Sequence, residues 1–354
     1  MKRILSTIAL LLAIISLPAK TEIAAYPAGG YGNETGFYGG ALGYVRYQNP
    51  ALPDSLTQDV YYVSTTYSQK KQFSIQFEPT LYFGNGKSRL HGELMFKKWP
   101  SVFYGIGMNA KRKDEEKYTP RTEKLLLDFR YKFYENKSLE LHSHLMNYEI
   151  TKTESDGILR SKTIPGSADN FLFGLGLSFC FDDRNSETYP TRGEFLRIKF
   201  MHYDRFWGSD YNFSVLQLDL RKYFRINAWN TLAMQSFLAS SFDQVPFYQL
   251  NFLDEYLRAI TNNLYNDKHL CAFRIEDRIF PWRWGLGERL GFVVFAETGE
   301  VADRFDHFNS TDLQINYGLG LRYSLFLQDR LNVRIDVGYG EVKANLSIAS
   351  GEVF

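Results

Sequence analysis

From residue 311 to Phe354 the chain alternates apolar and polar side chains almost without a break, and few folds accept that pattern. Leu313, Ile315, Tyr317, Leu319, Leu321 and Tyr323 stand between Gln314, Asn316, Gly318, Gly320, Arg322 and Ser324. After Asp329, Leu331, Val333, Ile335, Val337 and Tyr339 alternate with Asn332, Arg334, Asp336, Gly338 and Gly340. Val342, Ala344, Leu346 and Ile348 continue the pattern, and Phe354 is in phase with them. Period two means strands with one dry face and one wet face. Repeated strands of this length, with an aromatic residue last, suggest a barrel whose dry face meets lipid.

The other end of the sequence points to the same location. Lys2 and Arg3 precede the apolar run Ile4–Leu17, and Ala19 offers a small residue for cleavage. This is the layout of a secretory signal peptide, expected over residues 1–19. No cysteine follows the run, which argues against a lipoprotein anchor. Residues 20–35, with their Tyr-Pro-Ala-Gly-Gly-Tyr-Gly stretch, read as a short flexible periplasmic leader. The barrel is expected over 36–354.

Composition fits a barrel and excludes several classes. No later apolar stretch approaches the ~20 residues of a spanning helix. Mean hydropathy is only −0.31, but in a barrel only alternate residues touch lipid. Phe and Tyr number 29 and 24, enough for aromatic girdles at both lipid interfaces. Net charge is +1, so nothing argues for a nucleic-acid partner. Cys180 falls on a wet face and Cys271 on a dry one, so a disulfide between them is not expected.

Sixteen segments carry the period-two signal. They lie near 36–48, 57–69, 72–83, 88–97, 102–110, 121–134, 137–151 and 169–182. The others are near 193–204, 210–224, 229–241, 267–280, 288–298, 311–326, 329–340 and 342–354. Most reach the ~9–11 residues of a tilted spanning strand. The segment 102–110 carries the weakest signal, and 210–224 changes phase, which predicts a bulge. If the first strand runs outward, 49–56, 111–119, 152–168, 242–266 and 299–310 are outer loops. On the same count 69–72, 134–137, 225–228, 281–287 and 327–329 are inner turns. Gly84-Asn-Gly-Lys-Ser88 reads as a hairpin turn rather than a phosphate loop, because position 81 is Leu.

The long segment 242–266 contains Tyr256-Leu257-Arg258-Ala259-Ile260. Further on stand Phe273-Arg-Ile-Glu276-Asp-Arg-Ile-Phe-Pro281 and Phe292-Val-Val-Phe-Ala-Glu297-Thr-Gly299. Upstream are Phe103-Tyr-Gly-Ile-Gly107 and Phe181-Asp-Asp-Arg-Asn185, the latter followed by Tyr189-Pro-Thr-Arg-Gly193. In order and spacing these resemble the BamA/TamA family of outer-membrane assembly and translocation barrels, across the whole of 36–354. The resemblance implies that the sixth outer loop folds back into the lumen. It also implies that Arg258 is held there by Glu276 and Glu297, with Glu297 standing where Asp is usual. Ala259 replaces the Gly that follows the Arg in that family, Asn263 a second Gly, and Leu264 a basic residue. The periplasmic POTRA domains usual in the family are not read in this sequence.

Residue chemistry agrees with a clamp. A guanidinium inside a barrel needs carboxylates to offset its desolvation, and alternation puts Glu276 and Glu297 on the wet face. The competing reading is a solvated charge on an outer loop. Gly36, Gly39, Gly40 and Gly43 weaken the expected first strand, so together with Phe354 on the last strand they mark a candidate lateral seam. The bland alternative is a bend or a lumen void. His142 and His144 share a face with Glu140 and read as a polar lumen ladder in preference to a metal site.

The sequence therefore predicts an all-β transmembrane antiparallel barrel of about 16 strands, in the outer membrane of a Gram-negative bacterium. No catalytic residue, cofactor or metal is expected. Expected partners are outer-membrane lipid and either client barrel proteins or a separate periplasmic protein. The family resemblance implies insertion or transport of outer-membrane components. The alternatives are a passive channel and a structural or anchoring barrel.

Overall fold

The computed structural model describes residues 21–32, 36–47, 58–282, 284–327, 330–341 and 344–354. The expected signal peptide and the loop 49–56 lie outside the described residues. Among the described residues sixteen strands of six or more residues form one antiparallel meander. The first eight are β1 (Thr21–Gly32), β2 (Gly36–Tyr47), β3 (Asp59–Ser68), β4 (Phe73–Phe83), β5 (Ser88–Lys98), β6 (Glu116–Tyr134), β7 (Lys137–Lys152) and β8 (Asn170–Asp182). The remainder are β9 (Gly193–Tyr203), β10 (Phe213–Arg225), β11 (Asn230–Asp243), β12 (His269–Ile279), β13 (Leu290–Ala302), β14 (Gln314–Phe326), β15 (Leu331–Tyr339) and β16 (Asn345–Ser350). Each pairs with the next, from Thr21↔Tyr47 at the start to Gly338↔Asn345 at the end. Among the described residues no register joins β16 to β1. No described helix is long and apolar enough to cross a membrane.

Alternation sorts the side chains as the sequence predicts. On β14 Ile315, Tyr317, Leu319, Leu321 and Tyr323 point outward and are exposed, while Asn316, Arg322 and Ser324 are buried. On β6 Phe129, Tyr131 and Phe133 face outward. An apolar outside and a polar inside are what a lipid-embedded barrel requires. The turn at 84–87 is a hairpin, with Gly84, Asn85 and Gly86 all at positive φ. Cys180 and Cys271 are both free, one buried and one exposed.

The strand count of sixteen survives, but two of its members change. Residues expected to form a flexible leader instead form β1, paired along its length with β2. Ala24, Ala25, Pro27 and Gly29 erase the alternation there, so the sequence signal was absent. A mid-strand proline such as Pro27 is tolerated on an edge strand, where one side needs no donors. The segment 102–110 is not a spanning strand; only Ser101–Phe103 is extended, beside β6. Gly105 and Gly107 take φ values of 105° and 95°, and the Gly107 N–H is given to the Asn266 carbonyl rather than to a neighbouring strand. As a result the turn 69–72 lies at the barrel end that carries the long connections 99–115, 153–169 and 244–268, not at the opposite end. The bulge expected in 210–224 is absent, since β10 pairs continuously on both sides. Bulges fall instead at Thr119/Pro120, Lys132/Tyr134 and Ser324/Phe326.

Candidate functional site in the barrel lumen

The connection 244–268, between β11 and β12, supplies much of the buried core. Leu253, Leu257 and Ile260 pack against Phe237 and Ala239 of β11, Leu270 and Ala272 of β12, and Val301 of β13. Phe247 meets Phe103, Tyr118 and Tyr148 across the lumen, with ring centroids 5.3, 5.7 and 6.3 Å away. Apolar residues in an outer loop would be wasted in solvent; inside the barrel they bury area at about 25 cal/mol per Å².

Small residues in the wall make room for the loop. A Cβ added at Gly299 would lie 2.9 Å from Leu253 Cδ1 and 2.8 Å from the Cys271 carbonyl. One added at Gly340 would lie 3.2 Å from the Ala259 carbonyl and 1.9 Å from Asn316 Oδ1. The loop thus rests on a wall where larger side chains do not fit.

This packing carries Arg258 into a carboxylate nest. Its backbone N–H donates to Glu297 Oε2 at 2.7 Å and its Nε to Glu297 Oε1 at 2.7 Å. Its Nη2 lies 2.9 Å from Glu276 Oε1, and Nη1 donates to Asp336 Oδ2 at 3.1 Å. The Phe295 ring lies under the guanidinium, 3.3 Å from Cζ to the centroid. The Arg258 side chain is 7% exposed. Burial works to lower its pKa, but the Glu276, Glu297 and Asp336 carboxylates outweigh that and hold it above the usual guanidinium value. The structure therefore brings Arg258, Glu276 and Glu297 together and adds Asp336, which the sequence reading did not single out. The available signal was an acid on the wet face of β15, two residues from Arg334.

The expected seam residues are placed differently. Gly36, Gly39, Gly40 and Gly43 belong to β2, which is paired on both sides, so they do not form an edge. At Gly40 an added Cβ would lie 1.9 Å from the Thr65 carbonyl, so close strand approach accounts for that glycine. Phe354 does not end a lipid-facing strand. The chain turns inward at Gly351, at φ +77°, and Phe354 is buried beside Tyr223.

His142 and His144 line the lumen. His142 lies 2.6 Å from Asp128 and 2.8 Å from the Ser178 hydroxyl. That order resembles a hydrolase triad, but Ser178 is 1% exposed and also donates to Glu140 at 3.2 Å. A nucleophile needs room for a substrate carbonyl, so the row is a polar ladder across β6, β7 and β8. Among the described residues no group of three His, Cys, Asp or Glu side chains is arranged to hold a metal.

The fold has known counterparts. It is similar to BamA from Haemophilus ducreyi lacking POTRA domains 1–3, with TM-score 0.62 and 15% identity over 94% of this chain and 69% of that one. It is also similar to CdiB from Acinetobacter baumannii, with TM-score 0.57 and 10% identity over 94% of this chain and 58% of that one. CdiB from Escherichia coli gives 0.58 and 12% over 95% and 62%. The chain thus spans less than two thirds of either CdiB. No curated protein sequence matches it. Residues 59–255 match the Omp85 superfamily domain, more than half of a chain whose sixteen strands enclose an inward-folded loop, and the protein belongs to the Omp85 superfamily.

Proposed function

We propose that this protein is an outer-membrane barrel of a Gram-negative bacterium that inserts or translocates outer-membrane components through a seam between β1 and β16. The observation that carries the reading is the pair of edges. Among the described residues β1 pairs only with β2, and β16 only with β15. An edge strand offers a row of backbone donors and acceptors to an incoming strand. We take the client to be itself an outer-membrane or exported protein, as the family resemblance of the sequence implies. Partners are then membrane lipid, the client, and any periplasmic protein that delivers it.

A passive channel is the weaker reading. Loop 244–268 fills the lumen beside β11, β12 and β13 with apolar side chains, where an open pore would keep water. Depletion followed by quantitative outer-membrane proteomics and lipid analysis tests the proposal. A broad fall in other barrel proteins, or in one exported component, is expected. An unchanged membrane overturns it and favours an anchoring barrel.

A further inference from the structure

The inward-turned tail and the lumen loop meet the same charges. Glu352 accepts from Arg322 Nε at 2.9 Å and from Asn332 Nδ2 at 2.6 Å. Arg278 Nε lies 4.0 Å from the same carboxylate. Arg322 donates to Asp336 at 2.6 Å, and Asp336 accepts from Arg258 at 3.1 Å. Arg258 lies 2.9 Å from Glu276, and Glu276 accepts from Arg278 at 2.9 Å. These contacts close a ring: Arg258, Glu276, Arg278, Glu352, Arg322, Asp336 and back to Arg258. Charges alternate around it and sum to zero. Every member is at most 7% exposed at the side chain.

Two of the six come from outside the strands, Arg258 from loop 244–268 and Glu352 from the tail 351–354. The other four stand on β12, β14 and β15. Phe354 seals the tail: its carbonyl accepts from Arg278 at 2.8 Å, and its ring lies 5.1 and 5.2 Å from the Arg278 and Arg274 guanidinium carbons.

We propose that the loop and the tail are one lock, coupled through this ring although Arg258 and Glu352 do not touch. A buried charge that loses its partner is strongly disfavoured. If the loop lifts, Asp336 and Glu276 lose a cation and are free to draw Arg322 and Arg278 away from Glu352. If the tail leaves, Arg322 and Arg278 turn to the acids that hold Arg258. Such coupling is reciprocal by thermodynamic necessity. What the lock controls follows from strand lengths. β16 has six residues against twelve in β1, and it stops because Gly351 turns the chain inward. Released and extended, 351–354 would lengthen the edge, in the phase that the alternation of Leu346, Ile348 and Phe354 describes. Docked, it keeps the seam short. This last step rests on the seam reading; the coupling does not.

Thiol accessibility tests the coupling on the full-length barrel in detergent. Cys180→Ser and Cys271→Ser remove the native thiols, and Val353→Cys reports the tail to a water-soluble maleimide. Arg258→Gln is expected to speed labelling about tenfold, and Glu352→Gln to speed labelling of Leu264→Cys in the loop by a similar factor. Arg258→Lys and Glu352→Asp keep the charges and are expected to stay slow, which separates loss of the ring from general misfolding. If Glu352→Gln frees the tail while Arg258→Gln does not, the tail is held locally and the lock is overturned. Unchanged labelling in both also overturns it. Coupled labelling in a barrel whose seam can be cross-linked without consequence would leave the lock standing and remove the seam.

Discussion

Arg258 and Phe295 are stacked in the lumen, guanidinium over ring at 3.3 Å, with Glu276, Glu297 and Asp336 around the rim of the same cation. A planar fork suits this arrangement because it lies flat on the ring and still reaches three acids. Arg258→Ala leaves those acids buried together and is predicted to cost about 3–5 kcal/mol. Arg258→Lys should cost less, keeping the charge but losing the fork. The midpoint of thermal unfolding, followed by the mobility shift of the folded barrel on gels, orders the two variants.

The loop depends on empty space in the wall. Gly299→Val places atoms where Leu253 and the Cys271 carbonyl already lie. The predicted result is an expelled loop in an intact barrel. Limited proteolysis within 244–268 should rise at least tenfold, with the strands still protected.

Asp267, in the short strand where the loop returns to β12, is buried. Burial pushes its carboxyl above the usual value, and nearby Asp303 adds to the effect. An acid with a raised pKa binds its proton more tightly in the docked loop than in the free one. Docking is therefore favoured at low pH and weakens as pH rises through and above the ordinary carboxylate range. Asp267→Asn should flatten that dependence, as measured by loop proteolysis between pH 4 and pH 7.

Gly351 adopts φ +77°, which an L side chain resists. Gly351→Ala is predicted to disfavour the inward turn by about 1 kcal/mol. Several-fold faster labelling of Val353→Cys would register it. An unchanged rate would mean that the turn is not what holds the tail in.

Most strands were legible because lipid and lumen impose opposite chemistry on alternate residues. Leu125, Leu127, Phe129, Tyr131 and Phe133 against Lys124, Asp128, Arg130 and Lys132 needed no further context. β1 was not legible, since alanine, proline and glycine carry no face preference. Periodicity also misplaced Phe354: it extrapolates a straight strand, and one left-handed glycine at 351 changes which side the next residues face. At the site, Arg258, Glu276 and Glu297 were found through motif order. Asp336, Arg322 and Glu352 were not, because their meeting depends on strands brought together only by closure of the fold around the loop.

A cysteine pair across the seam between β1 and β16 would hold it shut. Positions along 21–32 and 345–350 are paired in the background free of Cys180 and Cys271, in cells depleted of the native protein. If clients pass through the seam, the oxidised, cross-linked barrel fails to restore the outer-membrane components lost on depletion, and reduction restores them. Full restoration by the cross-linked barrel would contradict passage through the seam.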